Sequence, residues 1–400
     1  MRWATYGELK GFHPSLIIGN AQHWGSPVRT GAEEQSFTSD DRLFILLQAG
    51  QLLTATRGFA APEAIICYER AEALCYSLNR PLLLYVALVG RWRRSLVTDK
   101  PTVTMRIAQD IYSIAREQND RALEVGAYRA LAPPACLLGD FETAHEYAKR
   151  GVEIWRSGSA QSLAEEVAAP AVICLMFQAW TEWHLGETVA CQVTILEAIS
   201  LAKRLNDMYG LVQALFIAGM LAQFAGNPRE VERFALNLTE LSTRQNFAFW
   251  LAGGQVLRGW ARSACGETAE GVALIERGIA GWAATGATLL VPYYLALKAE
   301  ALHLADRSVE GLETINEAGA LVKRSEELWW SAELHRLRGV FLTAIGADEV
   351  EIQASLSMAI RIAKEQKAIP LEKRAEATYA EYRRQKASAL GGCDFRLPLW

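Results

Sequence analysis

Small residues recur along this chain at a nearly constant interval, each of them five residues after a short turn. The series is Ala144, Cys191, Val231, Gly271 and Gly311, and its intervals are 47, 40, 40 and 40 residues. A second series with the same spacing precedes it: Ala132, Ala179, Gly219, Gly259, Ala299 and Gly339. A period of about 40 residues with helical patterning is typical of stacked helix pairs, in which each pair buries its apolar face against its neighbours.

The glycines in these series and the turns between them support the same interpretation. Glycine costs a helix interior about 1 kcal/mol relative to alanine, so its recurrence indicates positions where two helix backbones approach closely. The turns share a glycine that ends one helix, followed by an acid or Asn-Pro that begins the next. They are Gly139-Asp140, Gly186-Glu187, Gly226-Asn227-Pro228 and Gly266-Glu267.

The sequence therefore predicts an all-α fold, a right-handed α-α superhelix with about eight helix pairs. The repeat domain is predicted to span 41–388, with a last helix at about 371–388. Residues 1–40 are interrupted by glycine and proline and are predicted to be irregular, and 389–400 form a tail. Pro133-Pro134 lies inside a predicted helix, which predicts a kink or break near residues 129–133.

Composition and charge exclude several classes of function. Hydrophobic residues make up 51% of the chain, and the formal net charge is −4, which disfavours nucleic acid as the main partner. Arg91, Arg93 and Arg94 are interpreted as a solvated helix face. The seven cysteines form no Cys-x-x-Cys pair, and the most apolar stretch, Val167 to Phe177, is shorter than the about 20 residues that span a membrane. A soluble cytoplasmic protein is expected.

No pattern of catalytic or metal-binding residues emerges. The six histidines form neither a His-x-x-x-His nor a His-Glu-x-x-His spacing, and no Gly-x-Ser-x-Gly occurs. We therefore expect a protein that is not an enzyme, with no metal and no cofactor.

The two small-residue series and the glycine-acid turns resemble tetratricopeptide repeats in a long form. Residues 266–287, 327–339 and 56–63 resemble the C-terminal repeats of bacterial multidomain signalling ATPases, in which a class III adenylate/guanylate cyclase or another input domain precedes a P-loop ATPase. No Gly-x-x-x-x-Gly-Lys-Ser/Thr phosphate loop occurs here, and the first forty residues are too few for a cyclase domain. The resemblance implies that an ATPase or nucleotide cyclase module is a possible partner.

In tetratricopeptide arrays the first helix of each pair lines the concave surface, and one register of this chain resembles the ligand-contacting one. Trp180 and Trp260 follow Ala179 and Gly259 in that register, with Met220 and Glu300 at equivalent positions. Trp183 and His303 lie one helical turn further on. The candidate binding residues are Trp180, Trp183, Met220, Trp260, Glu300 and His303. The alternative is that these tryptophans pack between helices.

Two functions are compatible with these features. The first is a non-catalytic protein–protein interaction scaffold in bacterial signalling, which captures a helix or an extended peptide on the concave face. The second is a regulatory domain that senses a small molecule.

Overall fold

The computed structural model describes residues 38–158, 169–388 and 397–399. Within these ranges the chain forms 17 helices and no strand. The helices are α1 (Ser39–Arg57), α2 (Pro62–Leu78), α3 (Pro81–Thr98), α4 (Pro101–Gln118), α5 (Arg121–Leu137), α6 (Phe141–Arg156), α7 (Pro170–His184), α8 (Thr188–Arg204), α9 (Met208–Phe224), α10 (Pro228–Gln245), α11 (Ala248–Ala264), α12 (Thr268–Ala284), α13 (Val291–Leu304), α14 (Ser308–Ser325), α15 (Ser331–Ala344), α16 (Glu349–Glu365) and α17 (Ile369–Ser388).

These helices form eight consecutive pairs followed by a single last helix, so the predicted all-α helical repeat solenoid is confirmed. Local chemistry explains why the helices begin and end where they do. Proline occupies the first turn of seven helices, and Asp120, Asp140 and Asp207 accept hydrogen bonds from amides of the helices that they precede. Gly139 and Gly266 follow helix ends with φ of 81° and 96°, a conformation that other residues adopt only with strain. The predicted irregular segment 1–40 and tail 389–400 lie almost wholly outside the described residues.

The two small-residue series meet inside the pairs. A Cβ atom placed on Gly259 of α11 would lie 2.6 Å from the carbonyl oxygen of Gly271 in α12, and one on Gly271 would lie 2.5 Å from the carbonyl oxygen of Gly259. In the next pair, a Cβ on Gly311 would lie 3.2 Å from the carbonyl oxygen of Ala299. The predicted close approach of helix backbones is therefore present in both pairs.

The prolines of the third pair do not break their helix. Helix α5 continues from Arg121 to Leu137 through Pro133 and Pro134. Of the kink or break predicted near residues 129–133, the break is therefore wrong and the kink stays a prediction. Residues 129–137 are all buried, and we attribute the continuity to packing on every side, which offsets the two lost backbone hydrogen bonds. A change in superhelix curvature there stays a prediction.

Successive turns of the superhelix contact each other. The carbonyl oxygen of Val97, near the end of α3, accepts hydrogen bonds from the amides of Thr288 and Leu289 at 2.8 and 3.1 Å. The same contact recurs one repeat later, where the carbonyl oxygen of Leu137 accepts from Leu328 and Trp329 at 2.7 and 3.1 Å. Each carbonyl belongs to the last turn of a helix, where no amide of the same helix can satisfy it. The superhelix is thus wound tightly enough to enclose its inner surface.

No helix in the described part of the chain is both long enough and apolar enough to span a bilayer.

Candidate ligand-binding cavity

A cavity of about 90 Å³ lies on the axis of the superhelix. Its wall comes mainly from α3, α5, α7, α9 and α11, the first helices of the second to sixth pairs. First helices therefore face the axis, as the resemblance to tetratricopeptide repeats implies. Two registers supply much of the wall: one contains Arg93, Pro133 and Trp180, and the other contains Arg129 and Met176.

The wall of the cavity is mainly apolar, and nine of its 21 lining residues are aromatic. The rings of Phe249 and Trp282 lie 3.8 Å apart between centroids, and the rings of Phe216 and Trp250 lie 5.5 Å apart. Such rings present rigid apolar surfaces to a ligand and lose little conformational freedom when they bind it. The wall therefore favours a ligand with an apolar body.

Two buried arginines border this aromatic surface. Arg129 is 3% exposed, and its guanidinium carbon lies 4.8 Å from the centroid of the Trp92 ring, a cation–π contact. Arg93 is 7% exposed and contacts the hydroxyl of Tyr68. None of the described residues that line the cavity is acidic. The wall thus combines apolar surface with two positive charges.

Uncharged polar groups also reach the cavity. Burial raises the pKa of Tyr209, and the charge of Arg93 offsets only part of that effect, so the phenol stays protonated and can donate. The buried indole N–H groups of Trp92 and Trp180 have no hydrogen-bond acceptor among the described residues. Buried donors normally find an acceptor in a protein or in ordered water, so a carbonyl or carboxylate oxygen of a ligand would satisfy either of them.

The rim of the cavity is half-buried and lies where two turns of the superhelix meet. Phe59, between α1 and α2, packs edge-on against the rings of Tyr209 and Phe249 at 5.9 and 5.5 Å. Phe177 and Gln213 are also half-buried lining residues. Entry of a ligand would move these side chains before any others.

Of the six residues predicted from the sequence, the structure places one at this cavity. Trp180 is 3% exposed and lines it, with its ring stacked 5.6 Å from that of Phe177. Trp183 is 6% exposed and packs 4.9 Å from the ring of Phe224.

The remaining four predicted residues lie further along the chain. Met220 and Trp260 are completely buried, and the indole of Trp260 donates to the carboxylate of Glu300 at 2.8 Å. Burial raises the pKa of Glu300 to about 7. His303 is half-buried, with Nδ1 at 2.9 Å from the hydroxyl of Ser308. The role of the six residues in binding stays a prediction.

Neither of the two arginines was among the binding residues predicted from the sequence. The prediction that Arg93 lies on a solvated face is wrong, because its helix turns that side chain toward the axis; Arg91 and Arg94 are half-buried. The signal was nevertheless present. Counting back from Trp180 by 47 and then 40 residues reaches Pro133 and Arg93, which share its register.

The described residues hold no group of three or more His, Cys, Asp or Glu side chains placed to bind a metal ion. The chemistry available at the cavity is therefore that of apolar contact, hydrogen bonding and positive charge.

Comparison with known proteins shows distant similarity. No family model matches the chain. An uncharacterized protein of Rhizobium meliloti (strain 1021) is 22% identical over 346 residues, which is 85% of this chain and 33% of the relative. The chain thus spans about a third of the length of this curated relative.

Among solved structures, a Rap protein complexed with Competence and Sporulation Factor superposes with a TM-score of 0.62 at 13% identity, over 90% of this chain and 96% of that chain. A Signal Transduction ATPase with Numerous Domains from Pyrococcus horikoshii, with a tetratricopeptide repeat sensor, aligns over 94% of this chain and 62% of that chain, at 10% identity and a TM-score of 0.42. At this second score the two folds are only loosely similar. The first likeness places the chain among tetratricopeptide-like helical repeat folds, and it concerns the fold alone.

Proposed function

We propose that this chain is a non-catalytic regulatory repeat domain that senses a small, mainly apolar molecule in the axial cavity. The aromatic cavity on the superhelix axis carries the proposal, because pockets with apolar walls and a few convergent polar groups are typical of small-molecule sites. Of the two functions expected from the sequence, this is the second.

The size of the cavity implies that binding changes the structure. A cavity of about 150 Å³ holds a benzene ring, and this one, which is partly open to solvent, has a volume of about 90 Å³. A ring-sized ligand therefore requires the half-buried rim side chains to move. Because Phe59 links the first pair to α9 and α11, that movement would loosen the packing between turns. Ligand binding would thus be coupled to superhelix winding, which a partner protein can read.

The scaffold function remains a second proposal, but the structure restricts where a partner could bind. Five of the six predicted groove residues are buried, so a peptide would reach them only after the turns separate. An ATPase or cyclase module, the partner implied by the resemblance, would instead contact the outer surface or respond to a change in winding.

Thermal unfolding with a panel of small aromatic and aliphatic metabolites tests the proposal. A ligand that binds only the folded state at 100 times its Kd adds about 2.7 kcal/mol of stability, which raises the melting temperature by a few degrees. Ile217 lines the cavity, and Ile217→Phe would fill it. Ile199 is a buried isoleucine that does not line it, so Ile199→Phe is the matched control.

We expect a stabilising compound to act on the wild type and on Ile199→Phe and to lose its effect on Ile217→Phe. Equal stabilisation of both variants would place the compound elsewhere. If no compound of the panel stabilises the protein at millimolar concentrations, the result would contradict small-molecule sensing and favour the scaffold function.

A further inference from the structure

A short non-helical segment of the chain occupies a pocket at the far end of the superhelix. Leu397 and Leu399 are 6% and 7% exposed. The guanidinium of Arg336, in α15, donates to the carbonyl oxygens of Pro398 at 3.3 Å and of Leu399. It also donates to the hydroxyl of Thr378, in α17, at 3.3 Å. The segment therefore lies beside α15 and α17.

Arg336 is held rigidly in this pocket. It forms a two-pronged ion pair with Glu333, at 2.7 and 3.0 Å, in which both side chains are 1–2% exposed. Arg374 supports Glu333 from α17 at 3.1 Å. Burial opposes ionisation of Glu333, but the charges and hydrogen bonds of the two arginines outweigh it and lower the pKa of that carboxyl. The guanidinium is thus held by α15 and α17 side chains as well as by residues 397–399.

The position of Arg336 in the repeat indicates a role beyond core packing. Equivalent positions of the four preceding pairs hold Met176, Phe216, Val256 and Ala296, and the third pair holds the buried Arg129. Burying an ion pair costs several kcal/mol of desolvation per ion, and an apolar residue of similar size would pack as well. A guanidinium, however, can donate to successive backbone carbonyls whatever side chains they carry. The arginine therefore suits recognition of a peptide backbone.

We propose that the pocket around Arg336 is a binding site for a short apolar peptide segment with leucine side chains two residues apart. Residues 397–399 are its tethered occupant, and a partner protein that carries a segment of the same chemistry replaces them. The site is separate from the axial cavity, so the proposal does not depend on the proposed function.

The tether determines how such a replacement would occur. A segment joined to its site by a short linker acts at an effective concentration on the order of millimolar. A partner therefore replaces residues 397–399 only where its own segment is at a higher effective concentration or binds more tightly. A free peptide competes poorly until the tethered leucines no longer fit.

The test uses the full chain carrying Leu397→Asp and Leu399→Asp together. These two substitutions weaken the binding of residues 397–399 to the pocket. A fluorescein-labelled synthetic peptide with the sequence of residues 394–400 is titrated with this double variant and with the wild type, and anisotropy reports binding. We expect at least ten-fold tighter binding to the double variant. The same peptide with aspartate in place of both leucines should not bind. Equal binding to both proteins, binding of the aspartate peptide, or no binding to a folded double variant would overturn the proposal.

A further pair of variants tests the arginine. In the double-variant background, Arg336→Lys keeps the charge beside Glu333 but loses the planar fork, and we expect at least ten-fold weaker peptide binding. Arg338→Lys, two residues away and partly exposed, is the matched control and should leave binding unchanged. Unchanged binding with Arg336→Lys would contradict backbone recognition by the guanidinium. If Arg336→Lys does not fold, the comparison of the two peptides decides alone.

Discussion

Adding one methyl group at Gly259 should destabilise the protein, although alanine is the better helix former. The new Cβ would lie 2.6 Å from the carbonyl oxygen of Gly271 and 2.8 Å from the backbone nitrogen of Ile275. Both are backbone atoms, so relief requires α11 and α12 to move apart. Overpacking of this kind costs about 1–3 kcal/mol, and contact with backbone places Gly259→Ala at the upper end. After the gain in helix propensity of about 1 kcal/mol, we expect a net loss of about 2 kcal/mol.

Gly319 provides the matched control. It lies inside α14, and no atom lies within 4 Å of a Cβ placed there. Gly319→Ala should therefore stabilise the protein by about 0.5–1 kcal/mol through helix propensity and reduced freedom of the unfolded chain. The two substitutions are chemically identical and are expected to act in opposite directions.

Urea denaturation followed by far-UV circular dichroism measures both changes. The slope of the free energy of unfolding against urea should stay equal among the proteins, since neither substitution changes the surface exposed on unfolding. The reasoning would be refuted if Gly259→Ala proved as stable as the wild type, or if both variants shifted the midpoint in the same direction.

Three further predictions concern charge and the rim of the cavity. Burial raises the pKa of Glu300 from 4.5 to about 7, so this group favours folding at low pH and loses that contribution as the pH rises from 4.5 to 7. Glu300→Gln should therefore gain stability relative to the wild type, by on the order of 3 kcal/mol, when urea denaturation is compared at about pH 5 and about pH 8. Because Arg93 and Arg129 border the cavity, a carboxylate ligand should raise the melting temperature more than its isosteric amide, and added salt should change the difference little. Phe59→Ala should lower the melting temperature and speed ligand association in stopped-flow fluorescence, whereas equal association rates would show that the rim does not limit entry.

The helices and their pairing were predictable because their signals are local. The Gly-Asp turn at 139–140 and the Gly-Glu turn at 266–267 mark helix ends within a few residues, and the interval from Gly259 to Gly271 places the close approach inside one pair. Pro133 is an instructive exception. Its local preference predicted a kink or break, but α5 continues through it within a buried segment.

The enclosed axis was not predictable in the same way. It depends on a small rotation between neighbouring pairs that accumulates until Val97 meets Thr288, 191 residues away, and no residue encodes that rotation alone. Trp260 and Glu300 were predicted to contact a ligand from the register that they share, but the structure buries both of them. Arg93 was misassigned because three arginines within four residues do not reveal which face points inward.

The hydrogen bonds from Thr288 to Val97 and from Leu328 to Leu137 also affect how the molecule unfolds. In an open repeat array each unit interacts only with its immediate neighbours, so end units can fray independently and stability is close to a sum of local contributions. Here the second pair forms hydrogen bonds with the residues that precede the seventh pair, and the third pair forms them with the residues that precede the eighth. Fraying from either end would break contacts with distant pairs, and the array gains the cooperativity of a globular domain.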